Sequence, residues 1–351
     1  MGIKELRDNL PKEFSKFAEL IKEDVYNKIK EYTSLSNVKE HYRKMLNEYV
    51  DRKGQYRRPS YLILWTMLYN GNAEDALLPA AAQQLSEDWL LMIDDWMDNN
   101  LLRRGGKAAY LIYGDKLTIN AASDLQALNW KIAIDAYKQL GEPRGSRYIR
   151  KFFDMLHVTH IGQYLDLTLT SSKDITSFTI EDYYESIHAK SAYYSVYGPM
   201  QQGAIIANAD ESKVEAIESY GVPAGRAFQI IDDVLDCASD DKTLGKTVGT
   251  DVRDGVKTII LWHAVHNASQ QQLDMLKEIY AKNPEMKTDE EIHKVIELFK
   301  ELGSIDFAKN EAKRLIDEAL SNFNKVERDL AENQIKDLAR DSLTYIVNRI
   351  K

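Results

Sequence analysis

The stretch Trp89-Leu90-Leu91-Met92-Ile93-Asp94-Asp95-Trp96-Met97-Asp98 closes an apolar helical run with three carboxylates. Helical periodicity puts Asp94 and Asp98 on one face, one turn apart, with Asp95 beside them. Carboxylates this close repel and raise one another's pKa values unless cations lie among them. Hard divalent ions suit such a cluster, and Mg²⁺ suits it best when phosphate oxygens complete its octahedron. A second copy, Asp232-Asp233-Val234-Leu235-Asp236, ends another apolar run, Ala227-Phe228-Gln229-Ile230-Ile231. Either copy alone is more often a solvated helix end or cap. Together they read as two walls of one metal–diphosphate site.

The neighbours of the two clusters strengthen that reading. Arg103-Arg104-Gly105 follows the first, and guanidinium groups bind phosphate in bidentate fashion. Lys246 and Lys257 follow the second on a glycine-bearing loop. Carboxylates that hold metal and cations that hold phosphate oxygens form a pyrophosphate clamp.

The rest of the chain reads as nearly all helix. Seven prolines punctuate 351 residues, and apolar residues recur three and four apart throughout. Helices are expected at about 12–33, 38–50, 59–68, 76–99, 115–140, 144–167, 180–208 and 211–238, with more helix after the loop 240–257. Thr179 is a candidate N-cap, and Gly303 a break in the C-terminal helices. No linker or low-complexity tract divides the chain, so residues 1–351 are expected to form one domain.

Composition narrows the function. The net charge of −9 argues against general nucleic-acid binding, and an anionic substrate needs local cations or metals. The lone cysteine, Cys237, excludes an internal disulfide and fits a reducing, cytoplasmic setting. No window is apolar enough for stable membrane insertion. His157 and His160, three apart with no cysteine nearby, read as packing or surface residues and not as zinc ligands.

From about residue 50 onward the sequence resembles the trans-isoprenyl diphosphate synthase family, which includes the farnesyl and geranylgeranyl diphosphate synthases. The resemblance rests on Asp94-Asp95-x-x-Asp98-x4-Arg103-Arg104-Gly105 and on Phe228-Gln229-x-x-Asp232-Asp233-x-x-Asp236. Gly114-Asp115, Gly162-Gln163-x-x-Asp166, Lys190-Ser191 and Gly245-Lys246-x-x-Gly249-x-Asp251 lie between and after them in the family's order. It implies an all-α fold, a single large helical bundle with a central cavity.

The resemblance also implies a reaction. Asp94, Asp98 and Asp232 are expected to ligate Mg²⁺, three ions per site, that bridges to an allylic diphosphate. Asp95, Asp233 and Asp236 support them, and Arg103, Lys190 and Lys246 neutralise the same diphosphate. Pyrophosphate leaves, Gln229 and the dipoles near Lys190-Ser191 stabilise the allylic cation, and isopentenyl diphosphate attacks it. A homodimer is implied as well.

The site of the second substrate departs from the family pattern. Arg58 and Arg104 are in place, but Gln55 stands where lysine is usual and Glu87 where His or Gln is usual. Val256 replaces a common lysine, with Lys257 adjacent. Exchanging cations and neutral donors for Gln and Glu weakens anion binding, so weak but real condensation is expected. Trp89, five residues before Asp94, is either the floor that limits product length to C20 or C15, or a packed core residue. The rival readings are a catalytically weak or regulatory subunit of a heteromeric synthase and a terpene cyclase. Intact aspartates in both clusters weigh against each.

Overall fold

The computed structural model describes residues 3–238, 248–330 and 333–349. A 3₁₀ turn, Ile3–Asp8, leads into α1 (Phe14–Thr33), α2 (Glu40–Leu46), α3 (Glu48–Asp51), α4 (Arg57–Leu68) and α5 (Leu77–Met97). A small antiparallel hairpin, Leu102–Arg103 with Gly106–Lys107, precedes α6 (Ala109–Tyr113), α7 (Asp115–Leu140) and α8 (Arg144–Ser171). Then follow α9 (Ile180–Ile187), a π-helical segment (His188–Tyr197), α10 (Gly198–Ile206), α11 (Glu211–Ala216) and α12 (Glu218–Ala238). The chain continues through α13 (Thr250–Asp254), α14 (Ile259–Asn267), α15 (Gln270–Ala281), α16 (Asp289–Glu301), α17 (Ser304–Val326) and α18 (Gln334–Asn348). The all-α expectation holds.

Apolar patterning explains the arrangement. In α4 every residue from Pro59 to Leu68 is buried, the pattern of a helix at the centre of a bundle. It packs on α10, which is also buried throughout. α5 packs on α7, and α12 lies between α17 and the π segment. One continuous apolar cluster runs from Ile3 to Ile346, each fully buried Leu, Ile or Phe contributing about 1.5–3 kcal/mol. Among the described residues no helix is long and apolar enough to cross a membrane.

Two expected helices are interrupted. The 38–50 helix breaks at Asn47, a buried side chain that donates to the Thr33 carbonyl at 3.1 Å and accepts from the Thr33 hydroxyl and Lys30 ammonium, each at 2.7 Å. These side-chain bonds compete with the helix ladder. The 180–208 helix widens into the π segment, and Gly198 donates to the Tyr193 carbonyl five residues back. Pro199 then supplies no N–H to either register. Thr179 does cap α9, in a reciprocal capping box with Asp182. Gly303, at φ 67°, separates α16 from α17.

Candidate active site

Trp89 and Met92 turn inward from α5, so the carboxylates emerge with the last turn of that helix. Asp232, Asp233 and Asp236 likewise fall in the last two turns of α12. A helix C-terminus carries the negative end of the macrodipole. Acids there are electrostatically unfavourable for the helix unless a cation lies beside them.

The three first-cluster aspartates divide their roles. Asp95 is fully buried, accepts from the Tyr49 hydroxyl at 2.6 Å and is chelated by Arg103 through Nε at 3.0 Å and through Nη2. Burial opposes the Arg103 charge, but Asp95 prevails and raises its pKa. Asp95 and Arg103 therefore fix the helix end and the hairpin after it. Asp94 and Asp98 remain partly exposed. Burial, and then repulsion from Asp94, push the Asp98 carboxyl up to about 8. The Lys190 ammonium lies 3.8 Å from Asp94 and donates to Asp166 at 2.6 Å. Burial disfavours its charge, yet Asp166, Asp94 and Asp98 together raise its pKa.

Ser191, next in the π segment, reaches the second cluster. Its hydroxyl donates to Gln229 Oε1 at 2.6 Å, and Gln229 Nε2 donates to Asp233 at 2.9 Å. Tyr183 donates to the other oxygen of Asp233 at 2.7 Å. Burial pushes the Asp233 carboxyl up to about 7 despite these donors. Asp232 is the open member, its side chain 35% exposed and paired with Arg349. Asp236, expected to support the site, is fully buried and accepts from the Thr250 hydroxyl at 2.6 Å and the Asp251 N–H at 3.0 Å, which ties the end of α12 to the start of α13. Lys246 lies outside the described residues.

Two turns earlier on α5 the arginines meet acids. Arg58 contacts Glu87 at 3.1 Å and donates to the Ser195 hydroxyl at 2.9 Å. Arg104 contacts the same Glu87 oxygen at 3.5 Å and Asp88 at 2.7 Å. Burial pushes Glu87 up, but Arg58, Arg104 and Arg57 outweigh it and hold the carboxyl below its ordinary value. Gln55 is exposed at the start of α4. Lys257 is a correction: its ammonium donates to the Ser172 carbonyl at 3.0 Å and the Gly255 carbonyl at 3.2 Å, and lies over the Tyr280 ring. A lysine buried on backbone carbonyls serves the fold, and its pKa falls to about 8, chiefly through desolvation.

Residues 39–299 match the polyprenyl synthetase family. The chain belongs to that family. A short chain isoprenyl diphosphate synthase of Methanocaldococcus jannaschii is 34% identical over 257 residues, covering 73% of this chain and 75% of the relative. A solved geranylgeranyl pyrophosphate synthetase from Pyrococcus horikoshii is 28% identical, with a TM-score of 0.80 and coverage of 96% and 97%. A polyprenyl synthase from Caulobacter crescentus, complexed with calcium and isoprenyl diphosphate, shares the fold at TM-score 0.85, with 23% identity and coverage of 96% and 98%.

As a polyprenyl synthetase family member, the chain has a donor set suited to hard cations: partly exposed Asp94 and Asp98 on one helix end, and Asp232 on another. Among the described residues no three such ligands converge on one point. The partly exposed carboxylates therefore stand on two separate helix ends, α5 and α12. Trp89 is buried on the inner face of α5, stacked on His160 at 5.8 Å, and among the described residues its Nε1 has no hydrogen-bond partner. Sequence reasoning left Asp166, Tyr49, Tyr183 and Arg349 without these contacts. Asp166 was legible as part of Gly162-x-x-x-Asp166 and Arg349 as part of a basic chain end, but which distant partners the tyrosines and Arg349 meet has no local signal.

Proposed function

We propose that this chain is a short-chain trans-prenyltransferase that joins an allylic diphosphate to isopentenyl diphosphate and releases pyrophosphate, with C20 or C15 product. One observation carries the reading: of two consecutive residues, Lys190 lies beside Asp94 of the first cluster and Ser191 is linked through Gln229 to Asp233 of the second. A divalent metal such as Mg²⁺, when bound, would be held by Asp94, Asp98 and Asp232 and would offset charge on the leaving pyrophosphate. The calcium and isoprenyl diphosphate in the Caulobacter relative support that assignment. Lys190, oriented by Asp166, places a fixed cation beside the α5 carboxylates for the same diphosphate. The allylic C–O bond breaks, and the dipoles near Lys190-Ser191 and the Gln229 side chain, oriented by Ser191, stabilise the cation. The alkene of the second substrate forms the new C–C bond, and a proton departs with pyrophosphate.

The test is product analysis with isopentenyl diphosphate and dimethylallyl, geranyl and farnesyl primers. Elongated diphosphates are expected at modest rates, because Glu87 already neutralises Arg58 and Arg104. Absence of product with every primer overturns the reading and favours a catalytically silent subunit. In the same assay Trp89→Ala is expected to lengthen the product by at least one C5 unit. Unchanged length in a folded variant assigns Trp89 to packing alone.

We also propose a homodimer. Phe153, Ile161 and Tyr164 on α8 and Leu117 and Ile134 on α7 are 44–66% exposed, more apolar surface than a monomer ordinarily leaves on adjoining helices. Light scattering after gel filtration should give twice the chain mass, and Phe153→Glu with Tyr164→Glu should give one. A monomeric wild-type protein refutes the assembly.

A further inference from the structure

Asp88 follows Glu87 on α5 and adds a second acid where an anion is expected. Arg58 Nη1 lies 3.1 Å from Glu87 Oε1, and Arg104 Nη2 lies 3.5 Å from the same oxygen, so one carboxylate bridges both guanidiniums. Asp88, 1% exposed, takes Arg104 Nη1 at 2.7 Å, and that nitrogen also donates to the Tyr49 carbonyl at 2.6 Å. Two guanidiniums and two carboxylates thus close on one another. While both acids are ionised their charges cancel, and little attraction is left for a diphosphate.

Gln84, one turn before Asp88, equips the cluster to hold a proton. Its Nε2 donates to Asp88 Oδ1 at 3.4 Å, a long bond, and its buried Oε1 has no hydrogen-bond partner among the described residues. Half a turn of the amide exchanges the two atoms, and Oε1 then accepts from an Asp88 that carries a proton. The ionised acid leaves the amide oxygen unpaired, and the neutral acid satisfies it.

The surrounding charges select Asp88 for that proton. Burial pushes its carboxyl up to about 6, with Arg104 opposing the rise and Glu87 adding to it. Glu87, despite its own burial, is held below its ordinary value by Arg58, Arg104 and Arg57. The remaining titratable groups facing the pair are Tyr56 at the head of α4 and Tyr194 in the π segment, and both stay protonated, chiefly through burial.

We propose that Glu87 and Asp88 form a carboxylate latch across Arg58 and Arg104, which the diphosphate of the second substrate displaces with uptake of one proton at Asp88. The proposal rests on the prenyltransferase reading and makes these two acids determinants of acceptor affinity. The proton comes from solvent and adds to an Asp88 carboxylate oxygen. Arg104 Nη1 then loses its ionic partner, and Arg58 Nε, buried without a partner among the described residues, is a further donor. A diphosphate at the guanidiniums raises Asp88 further by repulsion between like charges. Because the complex binds the proton more tightly than the free protein, affinity is greatest below about 6 and falls as pH rises through that value.

The test is calorimetric titration of isopentenyl diphosphate into the full chain, Glu87→Gln and Asp88→Asn, with no allylic primer present. Each is run from pH 6 to pH 8 in two buffers of different ionisation enthalpy, which counts the protons taken up on binding. Near pH 7 the wild-type chain should take up roughly half a proton or more beyond Asp88→Asn. That comparison cancels the ligand's own ionisation. Glu87→Gln should lower the Kd for isopentenyl diphosphate about tenfold or more, with affinity for geranyl diphosphate within about twofold. A merely structural role for Glu87 predicts weaker binding, not tighter. Glu87→Gln that binds no tighter than wild type overturns the latch, as does equal proton uptake by the wild type and a folded Asp88→Asn. Glu87 is on the more open side, 14% exposed, so its variant decides the matter even where Asp88→Asn fails to fold. Calorimetry keeps the two readings apart. Tighter binding by Glu87→Gln without product from any primer refutes the prenyltransferase function and supports the latch, whereas product formation with unchanged affinity in Glu87→Gln does the reverse.

Discussion

Asp98→Asn is expected to lower kcat by about 10²–10³, the usual loss when one group stabilising developing charge is removed. The variant keeps the shape of the side chain and removes its charge, so the fold should survive. Activity within threefold of wild type would remove Asp98 from the metal set. A second readout does not depend on turnover. In the metal-free protein Asp98 is held up to about 8 by burial and by Asp94, against about 3.9 in an unfolded chain. Between those values the folded state retains a proton that the unfolded chain releases, so this group's contribution to stability falls as pH rises. Asparagine cannot ionise. The melting temperature of Asp98→Asn relative to wild type should therefore climb from pH 5 to pH 8 without metal, and the climb should shrink in saturating Mg²⁺. A difference that is flat with pH contradicts the assigned cause.

Gly162→Ala is expected to cripple both stability and activity. A Cβ at this position would lie 2.0 Å from the Lys190 nitrogen and 2.4 Å from the Ala189 carbonyl carbon and the Lys190 Cα. These are backbone atoms, so no side-chain rotation relieves the clash. α8 and the π segment would have to separate, at about 1–3 kcal/mol for ordinary overpacking and more when backbone must move. Lys190 would move with its backbone, away from Asp166 and Asp94. The expected result is a melting temperature lower by several degrees and a fall in kcat of at least tenfold. Wild-type melting and turnover would show that the two helices can part without consequence.

Much of this was legible from the chain alone because helical periodicity is a local property. The carboxylates of α5 and α12 sit at fixed offsets behind apolar faces, and those faces dictate which side of the helix turns inward. The positions of Asp94, Asp98 and Asp232 follow from that arithmetic. The breaks at Asn47 and across His188–Tyr197 did not, because the first depends on a side chain bonding to another helix and the second on a five-residue register, Gly198 to the Tyr193 carbonyl, that apolar spacing does not announce.

The sequence by itself determined an all-helical chain with two aspartate clusters at helix ends, arginines behind the first, and an irregular acceptor motif at Gln55, Glu87 and Val256. Only the tertiary structure decided which of those groups remain available. It buried Asp95 under Arg103, tied Asp236 to the start of α13, turned Lys257 onto backbone carbonyls and set Glu87 between Arg58 and Arg104. It also brought Arg349 to Asp232, 117 residues away in sequence. The reason is physical: spacing along a helix fixes the face a side chain occupies, but a charge takes its partner from whatever packing places within a few ångströms.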